Sequence, residues 1–235
     1  MKLPSLRSSA IWTAGGVGLL GAGYLALMAA AWSRYGHVQP PSRDEADDLL
    51  DRFMPVYEVV ERHQVVVAAP AAITLLAAKY GNLDESAIVR SIFKARSLLL
   101  GAATPATEAG GTLLTRMRAL GWGVLADVPD REVIVGAVTQ PWLPNVTFRT
   151  VKPEEFTTFR EPGYVKIVWT LRADSIDADT SIFRTETRVA TTDVEARRKF
   201  RWYWARFSPG IALIRRVMVQ AVKRDAARLA QAAVS

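Results

Sequence analysis

The chain has 235 residues, half of them hydrophobic, with no cysteine, two histidines and a formal net charge of +7. Without cysteine there are no disulfides and no thiolate metal sites, and His37 and His63 fall in different segments, so no metal centre and no cofactor is expected. The charge is uneven: residues 193–235 hold ten Lys or Arg against three acids and carry the whole excess, which points to an acidic partner for that one element.

The first feature along the chain is the uncharged run "AIWTAGGVGLLGAGYLALMAAAW", residues 10–32. About 20 apolar residues in a helix cross a bilayer core. Trp12, Trp32 and Tyr35 stand near its two ends, where interfacial aromatics belong. A secretory signal is the competing reading, with Lys2 and Arg7 as its basic region and "LMAAAW" as the cleavage site. The length of the run and its aromatic end favour a retained anchor. Residues 1–35 are therefore expected to form an N-terminal transmembrane helix in a single-pass membrane protein. Lys2 and Arg7 precede the span, whereas Arg34 and Arg43 follow it among Asp44, Glu45, Asp47 and Asp48. That count gives a slight preference for an extracytoplasmic soluble part. Residues 36–53 read as a linker, with the Pro40-Pro41 pair and a short acidic helix starting at Ser42. The domain proper is expected over 54–235.

"YEVVERHQVVVAAP" reads as a strand, and "PAAITLLAAKY" as a helix with Pro70 in its first turn. A second helix is expected over "NLDESAIVRSIFKARSLL", then a loop over "GAATPATEAGG", then a short helix at "TLLTRMRAL". The period then changes to two. "GWGVLADV" and "EVIVGAV" are strands joined by a turn at "PDR", and a weaker strand and a turn at Pro162-Gly163 follow. "YVKIVWTLRAD" sets Val165, Ile167, Trp169 and Leu171 against Lys166, Thr170 and Arg172. "SIFRTETRVATT" sets Phe183, Thr185, Thr187 and Val189 against Arg184, Glu186 and Arg188. The charged faces read as a solvated sheet exterior. The chain ends in a long helical segment that Ser208-Pro209 is expected to interrupt and restart.

This order, with "VVVAAPAAI" closing the first strand and opening the first helix, resembles the START/SRPBCC superfamily. "YVKIVWTLRAD", "SIFRTETRVATTD" and "ARRKFRWYWARFSPGIALIRR" are similar to the late strands and last helix of bacterial members with no assigned activity. The resemblance covers about Tyr57 to Leu229. It implies an α+β helix-grip fold, in which a curved antiparallel sheet wraps the terminal helix around a hydrophobic cavity. Members bind lipids, sterols, polyketides or quinones. The superfamily shares no catalytic signature, so the resemblance carries no catalytic residue to this chain.

On that reading the ligand-facing residues are Val165, Ile167, Trp169, Leu171, Phe183 and Val189 from the strands, His63 from the first strand, and Ile214, Val217 and Met218 from the helix. The helix residues share a face by spacing, and Arg215 and Arg216 are expected to turn away from it. Glu61 shares the face of His63 and could orient it as a general base; the plainer reading makes both structural. "RRKFRWYWAR" places Phe200, Tyr203, Trp204 and Phe207 on one stripe. Arg197, Arg198, Arg201, Arg215 and Arg216 are expected to meet anionic headgroups of the lipid bilayer, and no nucleic acid partner is expected. The functional expectation is membrane-tethered binding or transfer of a hydrophobic small molecule. The alternatives are an enzyme of cyclase or hydratase type, or a protein-interaction module with a filled core.

Overall fold

The computed structural model describes residues 21–81 and 112–234. The second helix and the loop expected between 82 and 111 lie outside the described residues, as does the first half of the 10–32 run. Among the described residues no helix is long and apolar enough to cross a membrane.

The described chain is a mixed α+β arrangement. Helix α1 covers residues 21–34, α2 Asp48–Phe53, α3 Ala71–Tyr80, α4 Leu113–Ala119, α5 Pro153–Phe156 and α6 Val194–Val234. The strands are β1 Val59–Val67, β2 Gly123–Val128, β3 Glu132–Thr139, β4 Phe148–Arg149, β5 Val165–Ser175 and β6 Ser181–Thr191. They form one antiparallel sheet in the order β1-β6-β5-β3-β2, with the short β4 paired to β3. The first and last strands in the sequence are therefore neighbours, and α6 leaves β6 to lie across the sheet. The turn between β2 and β3 bends at Asp130, whose φ of 58° is the left-handed conformation that Asp tolerates.

Both faces of the sheet are covered. On the inner face, α3 and α6 pack against Val67, Val133, Val135, Trp169, Leu171 and Phe183 through Leu75, Met218, Val219, Val222 and Ala226. Nearer the start of α6, Phe200 and Trp204 pack with Tyr35, Val59, Val165 and Val189. On the outer face, Leu50, Met54 and Phe156 pack on Leu125, Ile134, Val138 and Val168.

Three expectations are corrected. The exterior of β5 and β6 is not solvated, because Lys166, Thr170, Glu186 and Arg188 are all buried. What covers it is the stretch expected as a linker. Its helix starts at Asp48 rather than Ser42, because the Asp47 carboxylate accepts the amide of Leu50 at 2.9 Å and caps it. The acids of this stretch meet the arginines of the sheet: Arg188 donates to Asp51, to Glu186 at 2.6 Å and to the Met54 carbonyl at 2.8 Å, and Arg184 reaches Asp44 at 3.1 Å. Finally, α6 runs unbroken through Pro209. A proline inside a helix costs about 3 kcal/mol. The apolar clusters on either side of it, at Phe200–Trp204 and at Met218–Ala226, hold both halves to the same sheet and offset that cost.

Two outcomes follow. Leu50→Ala is expected to destabilise the fold by about 2–5 kcal/mol, as for other buried leucines; a free linker would leave the urea midpoint unchanged. The second concerns Glu132, buried on the outer face beside Asp47. Burial, reinforced by the Asp47 carboxylate, pushes its carboxyl up to about 7. Its contribution to stability is complete below the unfolded value and lost as pH rises through about 7. Glu132→Gln should remove that decline, seen as urea midpoints that differ less between about pH 5 and about pH 8 than those of the native chain.

Candidate functional site

The pairing register sets one row of side chains across the inner face. Glu61 stands opposite Thr187, Thr187 opposite Trp169, and Trp169 opposite Val135. In the next row His63 stands opposite Thr185. The alternation of β1, β5 and β6 requires this, because side chains two apart share a face. Thr185 accepts a hydrogen bond from the Trp169 indole N–H. His63 Nε2 lies 3.4 Å from Glu61 Oε2 but makes no hydrogen bond, and it is enclosed.

Arg215 closes the cluster from the helix side. Its guanidinium carbon sits 4.2 Å from the centre of the Trp169 ring, and Nη1 lies 3.9 Å from the Met218 sulfur. Burial lowers its pKa to about 10, opposed by the charge of Glu61. No carboxylate forms a salt bridge with it among the described residues. Glu61 keeps a quarter of its side chain exposed and His63 about an eighth, so the cluster is reached by water from the β1 side. A cation, a carboxylate, an imidazole and two hydroxyls thus meet on an otherwise apolar face, between the two apolar clusters that fasten α6. Buried groups of this kind normally have their hydrogen bonds satisfied within the protein. Here, among the described residues, the ring nitrogen His63 Nε2 does not.

Arg215 corrects an expectation, since it turns inward rather than toward a membrane surface. The same helical spacing that groups 214, 217 and 218 also puts 215, 218 and 222 on one face, and Met218 and Val222 are buried there. The charge of the residue hid a signal that the spacing carried. The other expected lining residues divide. Trp169, Leu171, Phe183 and Met218 belong to one apolar cluster, Val165 and Val189 to the other, and Ile167 touches both. Ile214 and Val217 are half-buried on α6. Thr185 and Thr187 are in the cluster and had been read only as members of an alternating strand.

The basic and aromatic segment at the start of α6 is engaged by α1. Trp32 lies 4.7 Å from Trp202, centre to centre, and the Arg201 guanidinium covers Trp32 at 4.1 Å while donating to its carbonyl at 3.0 Å. Tyr24 donates to the Arg206 carbonyl, and Arg197 lies over Tyr35 at 5.9 Å. Residues 24 to 35 thus run antiparallel to 206 to 197. Arg198 pairs with Glu195 at 2.9 Å, and Arg197, Arg198 and Arg216 are exposed. On the flank of α6, Trp142, Arg198, Lys199, Trp202, Tyr203, Arg206 and Phe207 line an open groove of about 370 Å³. Among the described residues no group of three or more His, Asp or Glu could hold a metal ion.

No protein-family model matches the chain, and no curated protein matches it. Solved structures similar to it include a hypothetical protein from Helicobacter pylori, at 6% identity and a TM-score of 0.39 over 80% of this chain and 98% of that one. Another is the Zhui aromatase/cyclase from Streptomyces, at 14% identity and a TM-score of 0.25 over 72% of this chain and 94% of that one. Both scores are too low to carry a fold or a function across, so the reading below rests on the geometry of this chain.

Arg215 is half-buried, with no carboxylate in salt-bridge contact among the described residues, and this predicts a stability cost. A group whose folded pKa is depressed adds stability only above its unfolded value and loses it as pH falls through about 10, so at neutral pH the charged side chain is a burden. Arg215→Met is expected to raise the unfolding midpoint, because a packed apolar side chain replaces a partly desolvated charge. A lowered midpoint would mean that the stacking on Trp169 outweighs desolvation.

Proposed function

We propose that this chain is a membrane-associated, helix-grip protein of START/SRPBCC type that binds an amphiphilic, lipid-like small molecule between its inner sheet face and α6. The observation that carries the reading is Arg215 over the Trp169 ring beside the neighbouring His63 and Glu61, set between apolar clusters, with His63 Nε2 lacking a hydrogen bond among the described residues. Ligand pockets are mostly apolar with a few placed polar groups, and this is that composition. The apolar part of the ligand would lie along Ile167, Trp169, Leu171 and Phe183 against Val217 and Met218, and its polar end would meet Arg215 and His63. Residues 10–32 would hold the domain at the bilayer, where such a ligand is concentrated.

The pairing of Glu61 with His63 favours one second reading, an enzyme of cyclase or hydratase type in which the imidazole moves a proton on the bound molecule.

The test is native mass spectrometry of the full-length protein extracted in detergent. A bound apolar molecule is expected in the native chain. It should be lost in Val217→Trp, whose added ring occupies the ligand's space, and weakened about tenfold in Arg215→Met, as for a lost charged hydrogen bond. Circular dichroism checks that both variants fold. An empty native chain, or a ligand retained in folded Val217→Trp, would overturn the proposal.

A further inference from the structure

We infer that the groove beside the N-terminal half of α6 seats the headgroup of an anionic phospholipid, and so docks the domain on the bilayer by a second contact besides residues 10–32. The inference rests on the membrane association proposed above.

The argument begins with composition. Four aromatic rings, Trp142, Trp202, Tyr203 and Phe207, and three cations, Arg198, Lys199 and Arg206, line one groove of about 370 Å³. Indole and phenol rings are apolar bodies with a polar edge, and they gather at the headgroup level of bilayers. Lysine and arginine beside them supply the countercharge of a phosphodiester. Trp202 is 59% exposed, and Leu143, next to Trp142 in the chain, is 41% exposed, so apolar surface is exposed in the groove and next in the chain to it. Lone exposed apolar residues need no explanation, whereas aromatics grouped with cations mark an interaction surface.

Position adds the second argument. The groove shares Trp202 with the root of α1, through the stacking of Trp202 on Trp32, the last residue of the uncharged run. Leu25 and Leu27 of α1 are themselves more than half exposed. A chain segment that is uncharged for 23 residues therefore ends against the wall of an aromatic, basic groove. Arg198 and Lys199 are only loosely committed, both to the exposed Glu195, at 2.9 and 3.4 Å, and surface pairs of that kind are worth little. A phosphate would compete with Glu195 at small cost. Interleaved aromatic and basic residues can also bind single-stranded nucleic acid. The contact with the 10–32 run favours lipid.

The absence of cysteine permits a site-specific test on the full-length chain. Leu143→Cys, next in the chain to the groove residue Trp142 and itself exposed, carries an environment-sensitive fluorophore. The protein is mixed with vesicles of phosphatidylcholine, and with vesicles doped with phosphatidylglycerol. The expected result is a blue-shifted emission that grows with the phosphatidylglycerol fraction. In Arg198→Gln, Lys199→Gln and Arg206→Gln the apparent affinity for phosphatidylglycerol should fall about fivefold per charge removed. All three side chains are exposed, so the variants are expected to fold, and circular dichroism checks it. Emission indifferent to phosphatidylglycerol, or unchanged in the triple variant, would overturn the inference. So would a shift given by glycerophosphate alone, or by single-stranded RNA and not by vesicles. Sedimentation with pure phosphatidylcholine vesicles reads the anchor separately. Protein that sediments there without a phosphatidylglycerol response leaves the membrane association standing and removes the groove; protein that sediments with neither removes both.

Discussion

Arg188 holds its positive charge where water scarcely reaches, on the outer face of the central pair of strands. An unpaired buried charge is costly, so the surrounding chain has to neutralise it. Asp51 and Glu186 supply the negative charge, the Met54 carbonyl accepts a further hydrogen bond, and the Tyr57 ring lies 4.6 Å from the guanidinium. Three of these partners come from residues 51–57. The arginine therefore fixes the course of residues 51–57 on their way into β1. Breaking this knot would release the outer cover of the sheet, while α1 would keep its own contacts with α6.

The inner face follows a different logic. There α6 is fastened at two apolar clusters, and the polar residues occupy the interval between them. Arg215 spans that interval toward Trp169, with no carboxylate in salt-bridge contact among the described residues. Folding does not profit from such an arrangement, and stability is often given up where a site must present polar groups to a ligand. The outer arginines meet carboxylates; the inner one meets an aromatic face and a thioether sulfur.

The strand faces were legible in the sequence because a period of two leaves few choices. Trp169 and Leu171 are buried against the helix side, and the turns at Pro129-Asp130 and Gly163 lie where the residue types placed them. The cover of the outer face was not legible. "RDEADDLLDR" has the composition of a solvated linker, and Arg184, Glu186 and Arg188 that of a solvated strand face. A row of charges has the same pattern whether it faces water or a row of opposite charges. Only Leu50 and Met54, both buried, hinted that this segment has an inside. Pro209 misled for the opposite reason, being a strong local signal overridden by packing on both sides. In the candidate site, His63 and Glu61 could be paired from their spacing, whereas their meeting with Arg215 depends on how α6 lies across the sheet.

The antiparallel packing of α1 on α6 bears on how the domain would work at a surface. A segment joined by a loose leash lets a domain tumble; one splinted along a neighbouring helix acts as a bracket and fixes its attitude. The bracket here meets α6 between Arg197 and Arg206, and Arg215 lies thirteen residues beyond Trp202. At 1.5 Å per residue the inner cluster is then about 20 Å along the helix from the stacked tryptophans. On the proposed reading, a molecule taken up near Trp202 would travel that distance beside α6 before it met Arg215.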